Sequence, residues 1–230
     1  MINNKSVVYQ RMLSYWLTAI LLTGSYFLLR GSNWLGSVQL HTLMEVVATL
    51  LALMIGAMAL VRFYSKKNNT FLILGAGFIG TAFLDGYHAL VTSIWFKSFL
   101  PSNLDSLIPW SWVASRLFLS VLLWASYLLW KKETRSGQEC AVKEKTVFSF
   151  VLLATLSSFV FFIITPLPSA YYPDLFFSRP EELIPAVFFI AALVGYLKKG
   201  YWKQDVFEHW LVLALIVNVI GASHVHVIFH

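Results

Sequence analysis

Long apolar runs separated by short polar or basic segments give this chain its pattern. A helix needs about 20 mostly apolar residues to cross a bilayer. Seven runs qualify, at about 11–29, 41–61, 70–96, 110–130, 146–166, 183–202 and 208–229. They predict helices despite many β-branched residues, because hydrocarbon offers backbone N–H and C=O groups no partner outside the segment itself. The third run is long and predicts a tilted or partly interfacial helix. The expected fold is all-α, a polytopic transmembrane helical bundle of about seven spanning helices, with the lipid bilayer as its first partner. No small-x-small cleavage site follows the first run before Trp34, so that run is expected to remain as a helix.

Composition agrees with this reading. Hydrophobic residues make up 58% of the 230 and charged residues only 12%, against about 25% charged in a soluble domain. So much apolar surface exceeds what a core of this size can hide. Nine Trp and ten Tyr suit the membrane–water boundary. The net charge of +6 could suggest nucleic acid, but the basic residues sit in short runs beside apolar segments, so no nucleic-acid partner is expected. They gather on one side of the predicted bundle: Lys5 and Arg11; Arg62, Lys66 and Lys67; Lys131, Lys132, Arg135, Lys143 and Lys145; Lys198, Lys199 and Lys203. The other side has Arg30, Lys97 and Arg179. The positive-inside rule then places the N-terminus in the cytoplasm, and seven crossings place the C-terminus outside. The single cysteine, Cys140, excludes an intrachain disulfide and falls in a charged loop at 131–145, expected to be a solvated cytoplasmic linker. The outer segments 97–109 and 166–182 are rich in proline and aromatics, as rigid connections or a structured lid would be.

Ionisable residues inside spanning helices are costly and tend to mark function. Here they are His41 and Glu45 in the second run, Asp85 and His88 in the third, Arg116 in the fourth, and His224 and His226 late in the seventh. The crossing order puts all of them in the outer half of the bilayer. His41 and Glu45 are i and i+4, Asp85 and His88 are i and i+3, and each pair shares a helix face. His224 and His226 are about 200° apart on a regular helix and cannot both point inward. Three uses fit the cluster. One is a structural charge network in which Arg116 answers Glu45 or Asp85. Another is a transition metal or haem, with His41, Glu45, Asp85 and His88 as candidate metal ligands. The third is recognition of a small ligand, ion or proton at His41, Glu45, Asp85, His88 and Arg116.

Other features carry less chemistry. Gly75, Gly77 and Gly80, with Ala76 and Thr81, form a small-residue stretch that predicts close helix packing. No G-x-S-x-G motif or P-loop occurs; Gly75-Ala76-Gly77-Phe78-Ile79-Gly80 has the G-x-G-x-x-G spacing, but a phosphate loop has no place in mid-membrane. After Lys203 there is no lysine for a retinal Schiff base, and no repeated half with paired broken helices points to a transporter.

Together, His41-Thr42 with Glu45, Phe83-Leu84-Asp85-Gly86-Tyr87-His88, and Trp112 with Arg116 resemble the third type of bacterial membrane-associated sensor domain. The stretches Arg179-Pro180-Glu181-Glu182-Leu183-Ile184-Pro185-Ala186 and Phe207-Glu208-His209-Trp210-Leu211 fit the second half of the same pattern, and the resemblance covers residues 35–220. It implies a non-enzymatic signal-input module of the bacterial inner membrane. Such a module passes a conformational change to a cytoplasmic histidine kinase or diguanylate cyclase output module. A homodimer is the corresponding expectation for the assembly, and no particular ligand is implied. The chain departs from the pattern at its end. The family continues through another helix into an output domain, whereas this sequence stops at His230. Residues 1–230 are therefore expected to be a single sensor-like membrane domain lacking that helix and the output domain. Ser223-His224-Val225-His226 does not fit the family pattern. The alternative reading is a metal- or haem-binding membrane protein with a redox or transport role.

Overall fold

A computed structural model of the protein describes residues 4–29, 38–92, 101–138, 140, 142–172 and 179–224. The described residues form seven α-helices: α1 Asn4–Leu29, α2 Val38–Lys66, α3 Asn69–Thr92, α4 Leu104–Ser136, α5 Glu144–Ile164, α6 Leu183–Lys199 and α7 Val206–His224. Two 3-10 turns, Pro180–Glu182 and Tyr201–Lys203, flank α6, and no strand occurs among the described residues. Among the described residues, five helical stretches are long and apolar enough to cross a membrane: Gln39–Lys66, Asn69–Val91, Leu104–Ser136, Glu144–Ile164 and Pro180–Lys199. In α7 the apolar stretch is shorter, Val206–Gly221. Large apolar side chains are exposed on α1 (Trp16, Ile20, Leu28), α2 (Met44, Leu50, Met58) and α5 (Leu153, Val160, Ile164). Contiguous apolar surface on this scale has no stable place in water. The protein is an all-α polytopic membrane bundle.

Helix limits depart from the hydropathy reading in an instructive way. At 33 residues, α4 is about 50 Å long, while the hydrocarbon core is about 30 Å thick. It therefore includes Pro109, read from sequence as part of an outer loop, and Lys131, Lys132 and Arg135, read as part of a linker. Hydropathy reports where a helix leaves lipid, not where its hydrogen bonding stops. Pro109 lies in the second turn of α4, where it has no N–H to give the Asp105 carbonyl, and the helix runs on without that one bond. Gly137 stops the helix at φ 65°, its N–H donating to the Glu133 carbonyl at 3.0 Å. The third helix is described to Thr92, and 93–96 lies outside the described residues.

The helices divide into two compact units, α2 to α5 in one and α1, α6 and α7 in the other. In the first, α3 is central and touches α2, α4 and α5. Of its apolar stretch, 72% is buried, against 17% for α2 and for α5. Its glycines are the reason it can be surrounded. A Cβ on Gly75 would lie 2.6 Å from Leu60 of α2. One on Gly77 would lie 3.1 Å from Leu122 of α4. On Gly80 it would meet both Phe118 of α4 at 2.6 Å and Val151 of α5 at 2.8 Å. From across the α2 contact, Gly56 answers Ile79 in the same way. Close approach through small residues is how membrane helices gain packing energy without a hydrophobic drive.

The second unit is pinned at one end. Lys199 and Glu208 form a buried ion pair, with side chains 4% and 7% exposed. Asp205 caps α7 by accepting the Glu208 N–H at 3.0 Å. Arg11 of α1 donates to the carbonyls of Trp202 at 2.5 Å and Asp205 at 3.2 Å. Tyr15 meets His209 Nδ1 at 2.9 Å.

Candidate functional site

His41 and Glu45 lie one and two turns into α2, Asp85 and His88 within the last two turns of α3, and Arg116 about 18 Å along α4. Because α2 and α4 begin where α3 ends, all five occupy the same end of their unit. The greater reach into α4 follows from its start at Leu104, earlier than hydropathy indicates.

Three of the five converge. One ligand atom from each of His41, Glu45 and His88 lies within 4.8 Å of the others. The imidazoles of His41 and His88 meet edge to face, centroids 5.8 Å apart at 85°. His88 is fully buried, while His41 and Glu45 are half-buried. Among the described residues, Glu45 Oε2 and His88 Nε2 are buried without a hydrogen-bond partner.

Ser111 sets the chemistry of His88. Its Oγ lies 2.8 Å from His88 Nδ1, 2.7 Å from the Leu107 carbonyl and 3.1 Å from that of Ile108. A serine hydroxyl has one proton. With that proton donated to a helix carbonyl, Ser111 accepts from Nδ1–H of His88. The neutral ring then carries its lone pair on Nε2, which is buried without a hydrogen-bond partner among the described residues. A hydrogen bond to one ring nitrogen decides what the other can do.

Asp85 is committed elsewhere. It is 3% exposed and accepts a hydrogen bond from the Ser115 hydroxyl across the α3–α4 contact. Consequently it stands apart from the three-residue set. Arg116 forms no ion pair with Glu45 or Asp85 among the described residues; its guanidinium lies 5.4 Å from the Trp112 ring centroid. Successive helix positions differ by about 100°, so turning Ser115 toward Asp85 turns Arg116 aside, onto the ring one turn earlier. Its charge still acts on Glu45 and His88. Nothing of the His224 side chain is described, and His226 lies outside the described residues.

Apolar packing closes the same end. Val91, Leu107 and Phe162 form a buried cluster, flanked by Tyr87, Trp110 and Leu167. The chain after α5 is fastened over it. Ser102 Oγ donates to the Thr165 carbonyl at 3.3 Å and accepts from Leu167 N–H at 2.9 Å. Trp110 Nε1 donates to the Pro168 carbonyl at 3.1 Å.

Sequence reasoning missed Ser111 and Ser115. Serine in a helix is ordinary, and its own carbonyls usually satisfy it. The available signal was their i, i+4 spacing, matched by Trp112 and Arg116 on the adjoining face.

No curated protein and no solved structure matches the chain. A family model does: MASE3, described as a membrane-associated sensor domain, matches residues 34–227. That span includes all of α2 to α7, and with it every residue of the polar site, so the chain belongs to the MASE3 family of membrane-associated sensor domains.

Proposed function

We propose that this chain is a signal-input module that detects a small ligand, ion or proton at the polar end of the α2–α5 unit. In this reading the N-terminus is cytoplasmic, the site lies in the outer half of the bacterial inner membrane, and the output goes to a cytoplasmic histidine kinase or diguanylate cyclase partner. One observation carries the proposal. Three helices bring His41, Glu45, Asp85, His88 and Arg116 to one end of their unit, and two of their buried polar atoms lack a partner among the described residues. Burying a polar group without a hydrogen bond is costly, so a stimulus that satisfies those atoms stabilises the arrangement it binds. The stimulus shifts α2, α3 and α4 between two packings by no more than its difference in affinity for them. The bonds from Ser111 to His88 and from Ser115 to Asp85 join α3 to α4 and give the site a mechanical link to the rest of the bundle.

The test uses the full chain in lipid nanodiscs, on a Cys140→Ser background. Spin labels go at the exposed positions Met44 of α2 and Ile164 of α5. Pulsed distance measurements across pH and a panel of ions and small solutes are expected to show a shift in the wild type. Glu45→Gln is expected to remove it. A distance distribution indifferent to every condition overturns the sensory reading.

A further inference from the structure

We propose that His41, Glu45 and His88 form a three-ligand site for a divalent transition metal of the zinc or iron(II) class, leaving coordination positions for an outside ligand. This deepens the sensory reading and rests on it for its biological meaning, but the site stands or falls by its own geometry.

The donor set comes first. Two imidazoles and one carboxylate are the ligands of open zinc and non-haem iron sites, in which the remaining positions take water or another small molecule. The three ligand atoms already lie within 4.8 Å of one another. Ligand bonds of about 2.0–2.2 Å need them somewhat closer, a distance that side-chain rotation of the half-buried His41 and Glu45 covers. His41 and Glu45 are one helical turn apart on a single face of α2, so one rigid element supplies two ligands.

The independent observation is His88. Its ring is 1% exposed, its Nδ1 is engaged by Ser111 at 2.8 Å, and its Nε2 is buried without a hydrogen-bond partner. A lone pair held in that state is costly, and coordination to a metal ion would relieve it. Metal-bound histidines characteristically donate their other N–H to an oxygen that fixes the ring, and Ser111 holds that position. Glu45 Oε2, likewise buried and unpartnered, offers the negative charge that a divalent ion needs away from water.

The same geometry narrows the candidates. Asp85 is bound by Ser115, so the four-residue set expected from sequence reduces to three. The two imidazoles meet edge to face at 5.8 Å in a packed helix contact, which suits a bare ion and leaves no gap for a haem macrocycle. Arg116 lies within electrostatic reach of Glu45 and His88 and opposes the ion's charge, which favours a site of moderate affinity.

The experiment uses the full chain in nanodiscs, stripped with chelator under anaerobic conditions. It is titrated separately with zinc(II), iron(II) and cobalt(II), with bound metal counted by elemental analysis and cobalt followed by its ligand-field absorption. One ion per chain is expected, with the cobalt spectrum showing nitrogen ligation. Glu45→Gln and His88→Gln are expected to abolish stoichiometric binding, whereas His209→Gln, outside the set, retains it. Ser111→Ala is expected to weaken affinity by about 10–100-fold while keeping one ion per chain, as loss of an outer partner does. Folding of each variant is checked by helical circular dichroism and by elution in size-exclusion chromatography. Glu45→Gln, at a half-buried position, serves as the decisive variant if His88→Gln does not fold. Absence of metal in the folded wild type, or equal binding by wild type and Glu45→Gln, overturns the site. Failures of the two proposals are separable. A chain that binds no metal yet shows the stimulus-dependent distance change remains a sensor without this ion. A chain that binds metal through these residues with no distance change has the site without the sensory role.

Discussion

Gly80 offers the sharpest test of how α3, which carries Asp85 and His88, is seated in its unit. A Cβ there meets Phe118 Cε1 at 2.6 Å and Cζ at 2.7 Å on one side, and Val151 Cγ1 at 2.8 Å on the other. Relief on one side tightens the other, and Val151 is β-branched and holds essentially one rotamer in a helix. Overpacking of this kind costs about 1–3 kcal/mol. Gly80→Ala also gains helix propensity, at most about 1 kcal/mol. Gly86, six residues later on the same helix, supplies the control. Its added Cβ lies 3.5 Å from Thr49 Cγ2, an ordinary contact, so Gly86→Ala gains the propensity without the clash. The difference between the variants cancels propensity and isolates the steric term, so Gly80→Ala is expected to be about 1–3 kcal/mol less stable than Gly86→Ala. Reversible unfolding in mixed micelles, followed by circular dichroism, measures this directly. If Gly80→Ala equals or exceeds Gly86→Ala in stability, α3 is not gripped between α4 and α5 at this point, and the packing argument fails.

Other consequences follow from single contacts. Ser115→Ala strands the buried Asp85 carboxylate and is expected to cost about 1–3 kcal/mol in the same unfolding assay; a cost below the assay's resolution would mean that Asp85 has another partner. Breaking the buried Lys199–Glu208 pair with Lys199→Met alone is expected to cost about 3–5 kcal/mol, and adding Glu208→Leu is expected to recover most of it. A double variant no better than the single one would show that the pair is not acting as a unit. Trp110→Phe removes the hydrogen bond to the Pro168 carbonyl and is expected to speed amide hydrogen exchange across 165–172. Unchanged exchange there would show that apolar packing alone holds the segment.

Much of this protein was already determined by its order of residues. Apolar length and the need to satisfy every backbone amide inside lipid dictate seven helices, and the alternation of crossings brings His41, Glu45, Asp85, His88 and Arg116 to one level before any contact is known. Likewise, the glycine-rich stretch at 75–81 is legible as a packing surface, because few other roles suit it in mid-membrane. Helix ends were less legible. Hydropathy falls where α4 leaves lipid, while its hydrogen bonds run on to Gly137 and back past Pro109. Tertiary structure alone decided which polar groups become partners. That choice depends on the rotation of each helix about its axis, where one residue is a turn of about 100°. Seating Ser115 against Asp85 sends Arg116 to Trp112, and seating Ser111 against His88 leaves Nε2 without a partner while the ring meets His41. No pattern of spacings along one helix records the azimuth of its neighbour, so a set of five candidates became three that meet and two that are held elsewhere.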